Sequence, residues 1–312
     1  MMRAARTVRA ALVATMILGA LALSGCSVLR GAEPETGFGA AYPVHRDEAS
    51  GVTAILGTPD LAVGTFRVAV SLNDRTGLIR FPAVAFESRA PGVGASAAPT
   101  QRAEGRFHAF PDGIRGLYAT EFTFDRAGTW TVTAAVPRPD GTIARVAMPV
   151  PVAERASAPV IGASAPKSRN RTAEDVASLA ELTTGSAPDP ALYRHRIADS
   201  IAAHRPLVVI FASPAFCTTP LCGPQVEEAS ALARKYGDRV DFVHVDLFQH
   251  PQSINGDLRG AERSPLLKEW GIRTDEWTFV IDTDGRVSAR YEAFVPTAEL
   301  ETAVQRVAIP RG

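Results

Sequence analysis

The sequence predicts two domains: an all-β sandwich over 51–153, followed by a linker and an α/β domain within 154–312. Three observations predict it. Between 51 and 153, apolar residues alternate with a period of two in short runs broken by turn signals, as half-buried strands require. A Pro-, Ala- and Ser-rich stretch from Val152 to Lys167 then interrupts the pattern. Beyond it, continuous β-branched runs alternate with amphipathic stretches of helical period. With 312 residues, 46% of them apolar and 7% aromatic, the chain can supply a core to each domain.

In the first domain, Phe66, Val68, Val70 and Leu72 share one face of a strand. Tyr118, Thr120, Phe122 and Phe124 do the same, as do Trp130, Val132, Ala134 and Val136. Asn73-Asp74, Asp125 to Gly128 and Pro139-Asp-Gly141 supply turns between such runs. Tyr118 and Trp130 read as core residues of the sandwich. His108 stands alone, without the neighbours a metal site needs.

In the second domain, Asp189 to His204 reads as a helix and Leu207 to Phe211 as a buried strand. Pro224 to Tyr236 has the signals of a helix throughout. Pro224 suits its first position, Glu227 and Glu228 its positive end, Arg234 and Lys235 its negative end, and Gly237 its stop. Arg239 to Asp246 reads as a second buried strand and Pro265 to Trp270 as a short helix. Trp277–Ile281 and Val287–Tyr291 form a hairpin across Asp282-Thr-Asp-Gly285, and Thr297 to Val307 closes the chain as a helix.

The N-terminus reads as a targeting segment. Arg3, Arg6 and Arg9 precede an apolar run from Ala10 to Leu23 that is short for a membrane span. It ends in Leu23-Ser24-Gly25-Cys26, which resembles the bacterial lipobox. That resemblance implies a signal peptide over 1–25 and lipid on Cys26, whose acyl chains hold the protein to a membrane with the rest outside the cytoplasm. The segment 26–50 reads as a flexible tether spanning roughly 25–30 Å. The 33 basic and 33 acidic side chains balance, so no charge excess points to nucleic acid.

With Cys26 committed to lipid, Cys217 and Cys222 are the remaining cysteines, set between the apolar run and the Pro224 helix. In a regular helix, residues five apart have Cα atoms about 8–9 Å apart, beyond the ~7 Å limit of a disulfide. Pro220 and Pro224 place the helix after Cys222, so a compact turn is expected in which the two sulfurs can meet. A thiol beside a helix N-terminus has a lowered pKa, which makes the pair a candidate redox site.

The order strand, cysteine turn, helix, strand, helix, hairpin, helix over about 158–310 resembles the thioredoxin-like fold. Pro159 to Pro166 and Thr278 to Gly285 are similar to the redoxin branch, and the Cys-x4-Cys spacing is similar to Q-type peroxiredoxins. The Gly-Leu-Tyr and Ala-Gly-Thr-Trp pattern at 116–132 resembles immunoglobulin-like domains. The redoxin resemblance implies a nucleophilic Cys217 and a resolving Cys222, with no cofactor and no metal.

Departures temper the peroxidase reading. Where peroxiredoxins carry Thr or Ser, Pro and Arg, this chain has Pro214, Ile210 and Glu276. An anion replacing a donor cation does not favour peroxide cleavage. Trp277 stands where a thioredoxin carries its cis-proline, so Pro214 and Trp277 are candidate neighbours of the pair. Sco-type copper chaperones use a shorter cysteine spacing and a His near the hairpin, and no His follows Gly260.

The expected function is therefore a membrane-anchored, extracytoplasmic thiol–disulfide oxidoreductase acting on a protein thiol or disulfide partner. The alternatives are a non-enzymatic partner-binding lipoprotein with a structural disulfide, a thiol peroxidase and a copper chaperone.

Overall fold

Strands dominate the chain in the computed structural model, which describes residues 42–216, Leu221 and 224–309. The first nine are β1 (Val44–Asp47), β2 (Val52–Leu56), β3 (Gly64–Asp74), β4 (Gly77–Leu78), β5 (Ala83–Arg89), β6 (Gln101–Ala109), β7 (Gly116–Phe124), β8 (Gly128–Pro137) and β9 (Ile143–Val152). β1 lies inside the segment that reads as a tether, so ordered structure begins earlier than expected.

These strands do not form two facing sheets. They make one nine-stranded sheet in the order β1-β2-β3-β7-β6-β5-β8-β9, with β4 paired to β3. Every pairing is antiparallel. β9 comes round beside β1 and β2 and the sheet nearly closes, barrel-like. The expected immunoglobulin-like sandwich is therefore corrected. Alternation fixes which side chains face inward, and a curled sheet satisfies it as well as two layers do.

The predicted inward residues do line the interior, among them Phe66, Val68, Val70, Phe122, Phe124, Val132 and Val136. Tyr118 and Trp130 are core residues there. The Tyr118 hydroxyl donates to the carbonyls of Ile79 (3.1 Å) and Phe81 (3.2 Å), and Trp130 Nε1 donates to Arg126 O at 2.9 Å. Gly105 in β6 has a packing reason: a Cβ there would lie 2.4 Å from the Phe86 ring. β9 alternates strictly, with Ala144, Val146, Met148, Val150 and Val152 inward and Pro149 and Pro151 on the exposed face.

The rest of the chain contributes α1 (Ile197–Ala202), β10 (Leu207–Ala212), α2 (Gln225–Tyr236), β11 (Asp241–Asp246), α3 (Pro265–Glu269), β12 (Trp277–Ile281), β13 (Val287–Glu292) and α4 (Thr297–Ala308). Their strands form a second, four-stranded sheet ordered β11-β10-β12-β13. β10 runs parallel to β11 and antiparallel to β12, which pairs antiparallel with β13.

The thioredoxin-like α/β fold expected for this region is overturned. Strand makes up 37% of the chain against 19% helix, the second sheet is small, and its helices are few. The long helix expected over 189–204 is absent. In its place is a 3-10 turn over Pro190–Tyr193, capped by Asp189, and then the six-residue α1. The apolar positions that suggested one helix, Leu192, Ile197 and Ile201, are buried from these two short pieces.

The two sheets meet along a seam within one compact unit. Arg67 Nε of β3 pairs with Glu299 of α4 at 2.9 Å. Asp60 accepts from Arg290 Nη2 of β13 at 2.8 Å and from Ser157 N, Ser157 Oγ and Ala158 N. Burial pushes the Asp60 carboxyl up, but Arg290 and the Ser157 and Ala158 donors hold it below its ordinary value. An apolar cluster that includes Ala69, Phe110, Leu117, Leu221 and Phe294 fills the seam, with the Phe110 and Phe294 rings 4.4 Å apart.

Candidate functional site

Cys26, Cys217 and Cys222 lie outside the described residues. The described flanks of the cysteine pair do have a defined geometry. β10 ends at Ala212, and α2 begins at Gln225 with Pro224 as its N-cap. β10, α2 and β11 form a crossover between parallel strands, so the connecting segment leaves from the carboxyl ends of those strands. In crossover units ligands approach this edge.

Buried polar side chains fix that edge. Asp246 closes β11. Its Oδ1 accepts from Ser213 Oγ and Phe248 N, each at 3.1 Å. Its Oδ2 accepts from Thr184 N (2.7 Å) and Thr184 Oγ1 (2.9 Å). One carboxylate thus ties the residue after β10 to a loop contributed by 183–185. Two residues behind it, His244 is buried between Tyr193 and Ala212 O. A carbonyl only accepts, so His244 Nε2, 3.1 Å from Ala212 O, carries the hydrogen. Nδ1 then accepts from the Tyr193 hydroxyl at 2.8 Å. Burial pushes the His244 pKa down, against an opposing pull from Asp246, and pushes the Tyr193 hydroxyl up to about 12. Both partners therefore stay in the neutral forms this geometry needs.

On the helix side, Gln225 is buried and its Oε1 accepts from Val295 N at 2.9 Å. Its Nε2, at the first residue of α2, is buried with no hydrogen-bond partner among the described residues. Glu227 and Glu228 occupy the same first turn. Burial, then the nearby Glu227 charge, raises the Glu228 carboxyl, which also accepts from Thr297 Oγ1.

A cavity of about 160 Å³ opens between these flanks. Ala212, Ser213, Pro214 and Pro224 line it together with Glu227, Glu276 and Arg115. Pro214, in a 3-10 turn over Pro214–Phe216, thus lies in the wall of this cavity. Trp277 is fully buried. It stacks on Phe279 with ring centroids 5.5 Å apart and donates from Nε1 to Thr274 Oγ1 at 2.8 Å. Glu276 is also fully buried.

Leu221, Arg115, Asp246 and Thr184 escaped the sequence reading. Arg115 comes from the β6–β7 hairpin of the other sheet, about a hundred residues before the cysteines. The buried run of β11 marks Asp246 only as a strand end.

Among the described residues, no group of three or more His, Cys, Asp or Glu side chains is arranged to hold a metal ion. Among the same residues, no helix is long and apolar enough to cross a membrane. The sequence matches no known protein family and no curated protein.

Proposed function

We propose that the protein is a lipid-anchored thiol–disulfide oxidoreductase that works outside the cytoplasm through Cys217 and Cys222. The observation that carries this reading is the placement of the segment holding both cysteines. It leaves the carboxyl edge of the parallel pair β10–β11 and enters the N-terminus of α2. Both of its ends are tied by buried hydrogen bonds, through Ser213 to Asp246 and through Gln225 to Val295. The unpaired N–H groups of a helix N-terminus favour a thiolate over a thiol. The acidic Glu227 and Glu228 oppose that effect.

The exchange runs in two displacements. The Cys217 thiolate attacks one sulfur of a partner disulfide, forming a mixed disulfide and releasing one partner thiolate. The Cys222 thiolate then attacks the Cys217 sulfur, closing the internal disulfide and releasing the second partner thiolate. The pair loses two electrons and the partner gains them. The two protons shed by Cys217 and Cys222 pass through solvent to the partner thiolates. A dithiol donor restores the pair by the reverse sequence. Cys26, carrying lipid as the first residue of the mature chain, anchors it to the membrane.

Reduction of insulin disulfides in the presence of dithiothreitol tests the reading. Wild type accelerates precipitation and Cys217→Ser does not. Equal rates for the two proteins refute the assignment.

A second reading, partner binding, draws support from a cleft of about 860 Å³ between the outer face of β3, β6 and β7 and the β13–α4 edge. Val63 and Ile161, both exposed, lie on its lining beside Arg67 and Tyr291. A binding role there survives Cys217→Ser and is lost on Ile161→Glu.

A further inference from the structure

The outer face of the nine-stranded sheet holds another cavity, of about 560 Å³ and lined entirely by described residues. Small-molecule sites run from about 300 to 1,000 Å³. Cross-strand register sets the floor. Glu87 of β5 stands opposite Arg102 of β6 on one side and Thr133 of β8 on the other, and Thr133 stands opposite Ala147 of β9. Directly opposed residues share a face of a sheet, so these four form one row across it. Arg89 and Thr131 pair in the row on one side, and Arg145 of β9 stands in the row on the other. The β5–β6 loop supplies a wall. From Ala90 to Pro99 it contains only Ala, Pro, Gly, Val and Ser, so it brings backbone and no charge. Thr100 N donates to Ser88 O at 2.7 Å and Arg89 Nε donates to Ala97 O at 3.4 Å, which hold the loop there.

Charge decides what this cavity takes. Its lining sets Arg89, Arg102 and Arg145 against one carboxylate, Glu87. Burial pushes the Glu87 carboxyl up, but Arg145, then Arg102 and Arg89, hold it below its ordinary value, so it stays ionised. The lining therefore carries an excess of two positive charges. In the larger cleft, by contrast, Arg67 and Arg290 are each matched by a carboxylate, Glu299 and Asp60. Glu87 also leaves its arginines partly unused. Arg145 Nη1 lies 3.0 Å from Oε2, but Arg102 Nε and Arg89 Nη2 stand 3.4 and 3.5 Å from the carboxylate. A strong charge-assisted bond is about 2.7–2.9 Å long, and each guanidinium has five donors. The Arg102 and Arg145 side chains are 71% and 55% exposed, so both can turn toward a ligand. Planar guanidinium forks match the oxygens of a phosphate. A phosphate monoester carries about −1.5 to −2 charge at neutral pH, which balances the excess. We propose that this cavity binds a phosphate monoester, with the phosphate among Arg89, Arg102 and Arg145 and a small organic group on the Thr131, Thr133 and Ala147 floor beneath the loop. Such binding needs neither Cys217 nor Cys222.

Titration calorimetry on the full chain in detergent tests this with inorganic phosphate, glycerol 3-phosphate, short-chain phosphatidic acid and succinate. Wild type binds at least one of the two esters more tightly than it binds inorganic phosphate. Arg102→Ala and Arg145→Ala each weaken that binding about tenfold, the loss of one charge-assisted contact. Ala147→Glu puts a second carboxylate on an exposed floor position and abolishes binding with all three arginines in place. Unchanged thermal midpoints in these variants separate a lost contact from a lost fold. Tighter binding of glycerol 3-phosphate than of phosphatidic acid supports a soluble ester as the ligand, and the reverse order supports a lipid headgroup. Failure of both esters to bind wild type overturns the proposal, as does wild-type affinity in Arg145→Ala and Ala147→Glu. Inorganic phosphate binding as tightly as either ester overturns the assignment of an organic group, and succinate binding as tightly overturns the assignment of a phosphate.

Discussion

In the nine-stranded half, the buried side chains are mostly apolar, and the buried carboxylate of Glu87 is surrounded by arginines. Glu87 there meets Arg89, Arg102 and Arg145 on strand faces that also reach solvent. In the four-stranded half, Asp241, His244, Asp246, Glu276 and Glu292 are all buried. Burying an ionisable group is costly unless it is neutral or well partnered. Asp241 is matched by Ser200 Oγ at 2.7 Å and Arg205 Nε at 2.9 Å, and His244 by Tyr193 and Ala212 O. The contrast separates a scaffold from a half built around polar chemistry. Stability in the second half should therefore respond to pH and to single polar deletions, while that of the first should not.

The seam between the halves should show the largest effect. Asp60→Ala removes the partner of Arg290, whose side chain is only 8% exposed. A buried cation left unpaired costs about 3–5 kcal/mol, and urea unfolding followed by fluorescence should register that loss. A change below 1 kcal/mol would mean the seam is held by its apolar cluster alone.

Glu292 comes next. Burial pushes its carboxyl up to about 8, against hydrogen bonds from Thr274 Oγ1 and Asp60 N. The folded pKa lies above the unfolded value of about 4.3. Its contribution to stability is therefore complete below pH 4 and falls as pH rises toward 8. Glu292→Gln loses one acceptor, about 1 kcal/mol, but removes this decline. At pH 9 the variant should be the more stable protein, by an amount on the order of a few kcal/mol. Parallel stability–pH curves for the two proteins would contradict a neutral Glu292.

Smaller again is Tyr193→Phe, which strands the buried His244 Nδ1 without its donor. The expected loss is about 1–3 kcal/mol, read from the urea midpoint. The smallest effect belongs to the first half. Arg102→Ala leaves Glu87 with Arg89 and Arg145, and a pair whose arginine stays largely in solvent contributes about 0.5 kcal/mol or less. A larger loss would erase the contrast between the halves.

Local elements were far more legible in the sequence than their assembly. Leu207–Ala212, Gln225–Tyr236 and the Trp277 hairpin carry periods and end signals that tertiary contacts do not override. The stretch over 189–204 misled because short turns and a helix place Leu192, Ile197 and Ile201 on the core alike. Strand order was not legible. Nothing local tells β3 to pair with β7, fifty residues on, or β9 to come round beside β1. At the site, the cysteines announce themselves by spacing, and their lining does not. Leu221 is an ordinary apolar residue until Phe110 and Gly57 are seen against it, and Arg115 belongs to a distant hairpin.

The two prolines of β9 bear on how the protein behaves at high concentration. A sheet that stops short of closing leaves a row of backbone donors and acceptors that another copy can extend into a fibre. Pro149 and Pro151 have no N–H to offer. Being two residues apart, they remove successive donors from the same side of the strand, opposite its partner β8. The last strand of the sheet therefore ends the pairing without needing a covering helix, so crowding the protein does not offer a neighbour a ready strand to extend.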